Sequence, residues 1–108
     1  MLQIPKRFKL LGFTIEVVEN PKLLNDRDWI GVACYNECKI EILPSSDVRP
    51  IAKEKIEQTF CHELAHFLTY HAGGAVNHML GGKYIHQNEE FVDLLGSLLH
   101  QTLTTMEY

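Results

Sequence analysis

Two histidines four residues apart, with a glutamate directly after the first, are the residues of this chain best suited to chemistry. They form the HExxH motif His62-Glu63-Leu64-Ala65-His66. On a helix, residues four apart share a face, so both imidazoles could bind one Zn2+ at about 2.0–2.1 Å. Glu63 would project beside that face, where a carboxylate can act as general base on a metal-bound water. The motif is short, and it also occurs by chance as two ordinary helix histidines with a solvated glutamate.

A catalytic zinc site usually has three protein ligands and keeps a fourth position for water. The segment Asn88-Glu89-Glu90-Phe91-Val92-Asp93 offers carboxylates for the third position. Glu89 is the expected ligand, because Asp93 lies one turn later and could accept a hydrogen bond from a ligand imidazole. Glu90 is the alternative, and both glutamates also suit the positive end of a helix dipole. Gly96 lies near the same stripe and would allow a close approach between helices.

Two other zinc arrangements would take the third ligand from a histidine or a cysteine. A metzincin would need His at position 72 and Gly at position 69, where this chain has Ala72 and Thr69, and His71 is one residue out of place. A deformylase-like site would use Cys34 or Cys38, but the glycine-rich loops of that family are missing. Both arrangements therefore fit the sequence less well than the carboxylate does.

The motif requires a helix, and its neighbours predict one. Phe60, Leu64 and Phe67 recur at i, i+4 and i+7, as in the apolar stripe of an amphipathic helix. At about 100° per residue the two histidines lie on the opposite side from that stripe. We therefore expect a helix from about Arg49 to Tyr70 that packs on a core and turns its metal-binding face to a cleft.

Capping residues indicate where the helices begin and end. Ser46 or Asp47 can cap the HExxH helix, Pro50 suits its first turn, and the glycines that follow it are typical of a helix end. Asn88 can cap a second helix, which is predicted to run to about Thr105. This second helix has a broad apolar face, formed by Phe91, Val92, Leu94, Leu95, Leu98, Leu99 and Leu103.

The residues between the two helices, 75–87, are predicted to form a loop. It contains His78, Tyr84 and His86, and His71 precedes it. Hydrolysis through a tetrahedral intermediate requires a hydrogen-bond donor to the developing oxyanion. Any of these four side chains could supply it.

Alternation of apolar and polar residues predicts a sheet before the first helix. Lys6–Leu11 and Phe13–Glu19 are predicted to form a strand pair, or one long strand broken at Gly12. Trp29–Tyr35 and Lys39–Leu43 are predicted to form a hairpin. The order of elements predicts an α+β fold, in which a small antiparallel or mixed N-terminal sheet is followed by two main helices on one of its faces.

Length, charge and cysteine content narrow the class of protein. The 108 residues are expected to form one domain, and 45% hydrophobic with 22% charged residues is typical of a soluble globular chain. The net charge of −4 argues against a nucleic-acid surface. The sequence contains neither an apolar run of the about 20 residues that span a bilayer nor the apolar region of a secretory signal. The odd number of cysteines favours a reducing cytoplasm.

The HELAH helix and the later apolar helix with N-E-E-F-V-D resemble those of a minimal gluzincin-type zincin. The chain is similar to small ImmA/IrrE-like metallopeptidases and to related short proteins of phages and mobile elements, over about residues 8–103. The resemblance implies a zincin-like fold with zinc bound by His62, His66 and Glu89, and with Glu63 as the catalytic base.

The same resemblance implies that the strand at Lys39–Leu43 pairs with an extended peptide substrate. The second helix departs from the E-x-x-A-N-x-F-A form of that family, since Asp93 and Leu94 occupy the region of its Asn. Because of this departure, the resemblance says less about the substrate and the regulatory role than about the metal site.

Three functions are compatible with these residues. The first is a zinc-dependent peptidase, in which zinc polarises the scissile carbonyl and Glu63 moves a proton from water to the leaving amine. The second is a non-catalytic zinc-stabilised module that binds a protein through its sheet edge, and the third is a small globular domain with a chance motif. The expected partner is a peptide or protein substrate, without nucleic acid or membrane. A homodimer could cover the apolar face of the second helix.

Overall fold

A computed structural model of the protein describes residues 2–23, 30–73 and 88–108. Within these residues the chain forms strands and helices in the predicted order, which confirms the α+β fold. The elements are β1 (Arg7–Leu10), β2 (Phe13–Glu19), β3 (Gly31–Cys34), β4 (Lys39–Ile42), α1 (Lys53–His71) and α2 (Glu89–Thr105). Neither α1 nor α2, the helices of this described part, is long and apolar enough to cross a membrane.

The strands form one mixed sheet in the order β1-β2-β4-β3. Leu11 and Gly12 connect β1 to β2 with φ angles of 48° and 84°. Two consecutive residues with positive φ suit the tight turn of an antiparallel hairpin, so the N-terminal residues form a strand pair and not one long strand. β2 runs parallel to β4, and β3 with β4 forms the predicted antiparallel hairpin.

Strand β4 lies inside the sheet, which corrects one expectation. Residues 16–19 of β2 pair with residues 39–42 on one side, and residues 31–34 of β3 pair with them on the other. Because both edges of β4 are already hydrogen-bonded, it cannot accept another strand. The implied pairing of Lys39–Leu43 with a peptide substrate is therefore wrong. Among the described strands, β1 and β3 are the edge strands.

Helix α1 packs on β3 and β4, and α2 packs against α1. The core between the sheet and α1 consists of apolar side chains from both, namely Ile15, Ile40, Ile42, Phe60, Cys61 and Phe67. Phe60 and Phe67 belong to the predicted stripe and are buried, while Leu64 is partly buried beside them. Burying the stripe against the sheet leaves other faces of α1 to meet α2.

Helix α1 begins at Lys53, later than the predicted start at Arg49. The predicted cap Ser46 is used in a preceding turn, where its hydroxyl accepts a hydrogen bond from the Arg49 N–H at 3.0 Å. A proline disfavours the helical conformation of the residue before it, and Pro50 therefore keeps Arg49 out of the helix. The N-cap is Ala52, which provides no side-chain hydrogen bond.

Helix α2 begins and ends where predicted. The Asn88 side chain accepts a hydrogen bond from the Phe91 N–H at 3.1 Å, as an N-cap residue does. Val92 is fully buried, whereas Phe91, Leu94 and Leu98 on the same helix are 40%, 58% and 51% exposed. The predicted apolar face is thus only partly covered. The predicted loop at residues 75–87 lies outside the described residues.

Candidate metal centre

His62 and His66 lie one turn apart on α1, on the side where α2 approaches. Their ring centroids are 5.0 Å apart, and both side chains are mostly buried. Imidazoles in this arrangement can bind the same ion. The helix therefore presents the two imidazoles on one face, as the HExxH spacing predicts.

Glu89, the first residue of α2, brings its carboxylate to both imidazoles. Its Oε2 lies 3.3 Å from Nε2 of His62, and its Oε1 lies 3.1 Å from Nε2 of His66. One ligand atom from each of the three residues falls within 4.8 Å of the others. Across residues 2–23, 30–73 and 88–108, this is the group of His, Cys, Asp or Glu side chains that could hold a metal ion. Glu90 is exposed and does not belong to it.

The donor set fits a zinc ion in both chemistry and spacing. A tetrahedral zinc with bonds of about 2.1 Å separates its ligand atoms by about 3.4 Å. The two nitrogen–oxygen distances, 3.3 Å and 3.1 Å, are close to that separation. Two histidines and a glutamate also form a known set of catalytic zinc ligands that leaves the fourth position open.

Asp93 lies one helical turn after Glu89 and contacts the other nitrogen of His62. Its Oδ1 is 3.2 Å from Nδ1 of that histidine. When Nδ1–H donates a hydrogen bond to this carboxylate oxygen, Nε2 is unprotonated, and its lone pair faces Glu89 and is available to a metal. The structure thus brings Asp93 to the position expected for an orienting partner.

Gly96 allows α2 to approach α1 beside the first histidine. A Cβ added at this position would lie 2.9 Å from Cα and 3.2 Å from the backbone nitrogen of His62. Such distances are too short for any larger residue unless the helices move apart. The close helix approach expected at Gly96 is therefore present, and it carries Glu89 and Asp93 to the histidines.

Glu63 is a residue of α1 whose side chain contacts the edge strand β3, and it is only 7% exposed. A Cβ added at Gly31 of β3 would lie 3.3 Å from both Cγ and Oε2 of Glu63. Glycine at this position lets the backbone of β3 cover the carboxyl group. Sequence reasoning missed Gly31, although an isolated glycine within a predicted strand signals a close approach of this kind.

Burial, together with the smaller effect of the nearby charge of Glu89, raises the pKa of Glu63 to about 8. A cation held by His62, His66 and Glu89 would oppose both effects, because positive charge favours a carboxylate. Metal binding would thus return Glu63 toward the ionised form that a general base requires.

Two cavities meet at Glu63. One, of about 400 Å³, is lined by β3 residues together with Tyr35, His62, His66 and Glu89. The other, of about 580 Å³, extends between the helices past His62 and Asp93 toward Gln58 and His100. The carboxyl of Glu63 and the imidazole of His62 border both cavities, so a ligand could reach the site from either side.

Tyr35 is a cavity residue that sequence reasoning did not single out. It follows β3, and its ring stacks on Tyr70 at 4.4 Å and meets Phe67 edge-on at 5.3 Å. Burial, followed by the charges of Glu63 and Glu89, holds the pKa of the Tyr35 phenol well above its usual range. The period-two alternation of β3 could have placed it on the same face as Gly31.

The other predicted candidates lie apart from this cluster or outside the described residues. His71 packs against Phe13 and Phe67 and lines neither cavity, which disfavours a metzincin arrangement. Cys34 lies 3.9 Å from a carboxylate oxygen of Glu41, and neither it nor Cys38 is in the ligand group, which disfavours a deformylase-like site. His78, Tyr84 and His86 lie outside the described residues.

His100 of α2 contacts a buried carboxylate of α1. Its Nε2 lies 3.0 Å from Oε1 of Glu57, which is buried at the interface between α1 and α2. A buried carboxylate is costly unless it is paired, so this contact explains how Glu57 is tolerated there.

The chain matches no family model, and no curated protein or solved structure is detectably similar to it. Its function is therefore inferred from the site and not from relatives.

Proposed function

We propose that the protein is a zinc-dependent peptidase of the zincin type, in which Glu63 activates the attacking water. One observation carries the proposal: His62, His66 and Glu89 converge within 4.8 Å beside a buried glutamate. Three metal ligands with an adjacent base are the parts that metal-assisted hydrolysis requires.

The residues have separate roles in this proposal. A zinc ion held by the two histidines and Glu89 would supply a Lewis acid for the scissile carbonyl and for water. Glu63 takes a proton from the water while the water oxygen bonds to the carbonyl carbon. The same carboxyl returns that proton to the nitrogen as the C–N bond breaks. Asp93 keeps His62 in one tautomer throughout.

An extended peptide is the proposed substrate, and β3 is the proposed strand to bind it. Among the described strands β3 pairs only with β4. Gly31, Val32 and Ala33 of β3 line the cavity that contains the metal ligands. A peptide added to this edge through backbone hydrogen bonds would pass its carbonyl groups beside Glu63.

The proposed setting is the cytoplasm, with a homodimer as a further proposal. Cys34, Cys38 and Cys61 form no disulfide with one another, as is usual for cysteines of proteins in a reducing compartment. The exposed stripe of Phe91, Leu94 and Leu98 on α2 supplies apolar surface that a second copy could cover.

The proposal is tested by metal analysis and peptide cleavage on protein purified without a chelator or a histidine tag. We expect about one zinc per chain in the wild type and in Glu63→Gln, because the amide does not alter the three ligands. Hydrolysis by Glu63→Gln should fall by about 10²–10⁴-fold, because the amide cannot take the proton from water. Glu54→Gln, on the exposed first turn of α1, is the matched control and should cleave like the wild type.

Three outcomes would contradict parts of the proposal. Wild-type cleavage by Glu63→Gln would remove Glu63 as the base. Zinc content that His62→Ala leaves unchanged would remove the metal site. Full zinc content without cleavage of any peptide in a broad quenched-fluorescence library would favour the non-catalytic zinc-stabilised module.

A further inference from the structure

We propose that Tyr35 donates the hydrogen bond that stabilises the oxyanion of the tetrahedral intermediate. This assignment rests on the proposed peptidase function, and it deepens that function by naming a catalytic residue outside the HExxH motif. Its basis is the position of Tyr35 in the cavity of about 400 Å³ beside the metal ligands.

The composition of the cavity wall leaves few possible donors. Its lining residues are Gly31, Val32, Ala33, Tyr35, His62, Glu63, His66 and Glu89. Glycine, valine and alanine have no side-chain donor, the two histidines and Glu89 form the ligand group, and Glu63 carries the proton from water. Among the described residues that line this cavity, Tyr35 is then the one whose side chain has an O–H group without another role in the reaction.

The Tyr35 ring is held by its neighbours. Tyr70 stacks on one face, with an angle of 7° between the ring planes, and Phe67 contacts the ring at 73°. Tyr35 directly follows β3, and both of these contacts are with α1, the helix that carries the HExxH motif. A donor fixed in this way needs little reorganisation during the reaction, and fixed donors contribute most to oxyanion stabilisation.

The chemistry of a phenol suits this role. Its pKa in water is about 10, so the O–H is present at neutral pH. When water oxygen bonds to the carbonyl carbon, the π electron pair moves onto the carbonyl oxygen, which then accepts the hydrogen bond from Tyr35. The phenol keeps its proton, and the electron pair returns to re-form the carbonyl as the C–N bond breaks.

The test compares Tyr35→Phe with Tyr70→Phe. Each change removes one hydroxyl from the same pair of stacked rings, but Tyr70 does not line the cavity. The probe is the quenched fluorogenic peptide that the wild type cleaves fastest. We expect Tyr35→Phe to lower kcat by about 10²–10³-fold, as loss of an oxyanion donor does. Its KM should stay within about threefold of the wild-type value, and its zinc content should equal that of the wild type. Tyr70→Phe should match the wild type.

The outcomes distinguish failure of the Tyr35 assignment from failure of the peptidase proposal. A Tyr35→Phe variant with wild-type kcat, or one whose loss arises from KM or from lost zinc, would overturn the assignment of Tyr35 and leave the peptidase proposal intact. Equal losses in Tyr35→Phe and Tyr70→Phe would also overturn it, because the ring stack would then be the cause. A zinc-loaded wild type that cleaves no peptide would overturn both proposals.

Discussion

Two close contacts on different sides of α1 both depend on glycine. Toward α2, a Cβ at Gly96 would lie 2.9 Å from Cα of His62, which is a backbone atom. Toward the sheet, a Cβ at Gly31 would lie 2.5 Å from Cγ2 of Thr59 and 3.3 Å from Cγ of Glu63, which are side-chain atoms. The two contacts therefore differ in what must move when they are disturbed.

A backbone contact can be relieved only by moving a whole helix, whereas a side-chain contact can be relieved by a rotation. The contact at Gly96 determines where Glu89 and Asp93 of α2 lie. The contact at Gly31 determines what surrounds Glu63. Under the proposed function, metal binding and general-base chemistry would thus depend on different neighbours of one helix, so mutations should separate them. The three predictions below test this separation, in decreasing order of their expected effect on zinc affinity.

The largest effect is expected from removing the proposed carboxylate ligand of α2. Glu89→Ala should lower zinc affinity by more than about 100-fold, and Asp93→Ala, which removes the orienting partner, by about 10–100-fold. Glu90→Ala should bind zinc like the wild type, because Glu90 is exposed and outside the ligand group. Competition titration against a chelator measures all three. If Glu90→Ala proves the most damaging, the ligand is assigned to the wrong glutamate.

A smaller loss of zinc affinity, about 10-fold, is expected for Gly96→Ala, because the added methyl pushes α2 and its carboxylates away from His62. Overpacking costs about 1–3 kcal/mol, and replacing glycine by alanine within a helix returns about 1 kcal/mol. The free energy of unfolding of the zinc-free protein should therefore fall only modestly. Both quantities are measured by zinc titration and urea unfolding.

Thr102→Ala, on the exposed side of α2, is the control for Gly96→Ala, since it raises helix propensity without touching α1. It should leave zinc affinity unchanged. Unchanged zinc affinity in Gly96→Ala itself would show that the backbone contact at His62 does not position the ligands.

The smallest effect on zinc is expected for Gly31→Ala, which should keep zinc affinity within about threefold of the wild type. Hydrolysis should nevertheless fall by about 10-fold, because the side chains of Glu63 and Thr59 must rotate away from the new methyl group. Cys34→Ser on the same strand is the control and should change neither quantity. A loss of zinc as large as that of Gly96→Ala would mean that the two sides of α1 are not independent.

Patterns within a few residues were sufficient to predict most of the elements. Alternation predicted β1 and β2, the stripe of Phe60 and Phe67 predicted α1, and Asn88 predicted the start of α2, where its side chain accepts the Phe91 N–H. The start of α1 was predicted too early because a local competitor was overlooked. The Ser46 hydroxyl is used in a turn with Arg49, so it does not cap the helix.

The sequence by itself determined that His62 and His66 share a helix face and that Glu89 and Asp93 share another, because helical phase is local. Only the tertiary structure brought these faces together, through the contact of Gly96 with His62. It also placed β4 inside the sheet and β3 at its edge, and it placed Tyr35 in one cavity with His62, His66 and Glu89. These features depend on the parallel pairing of β2 with β4 and on the packing of α1 against β3 and α2. Both join residues distant in the chain, whose pairing no local pattern of residues specifies.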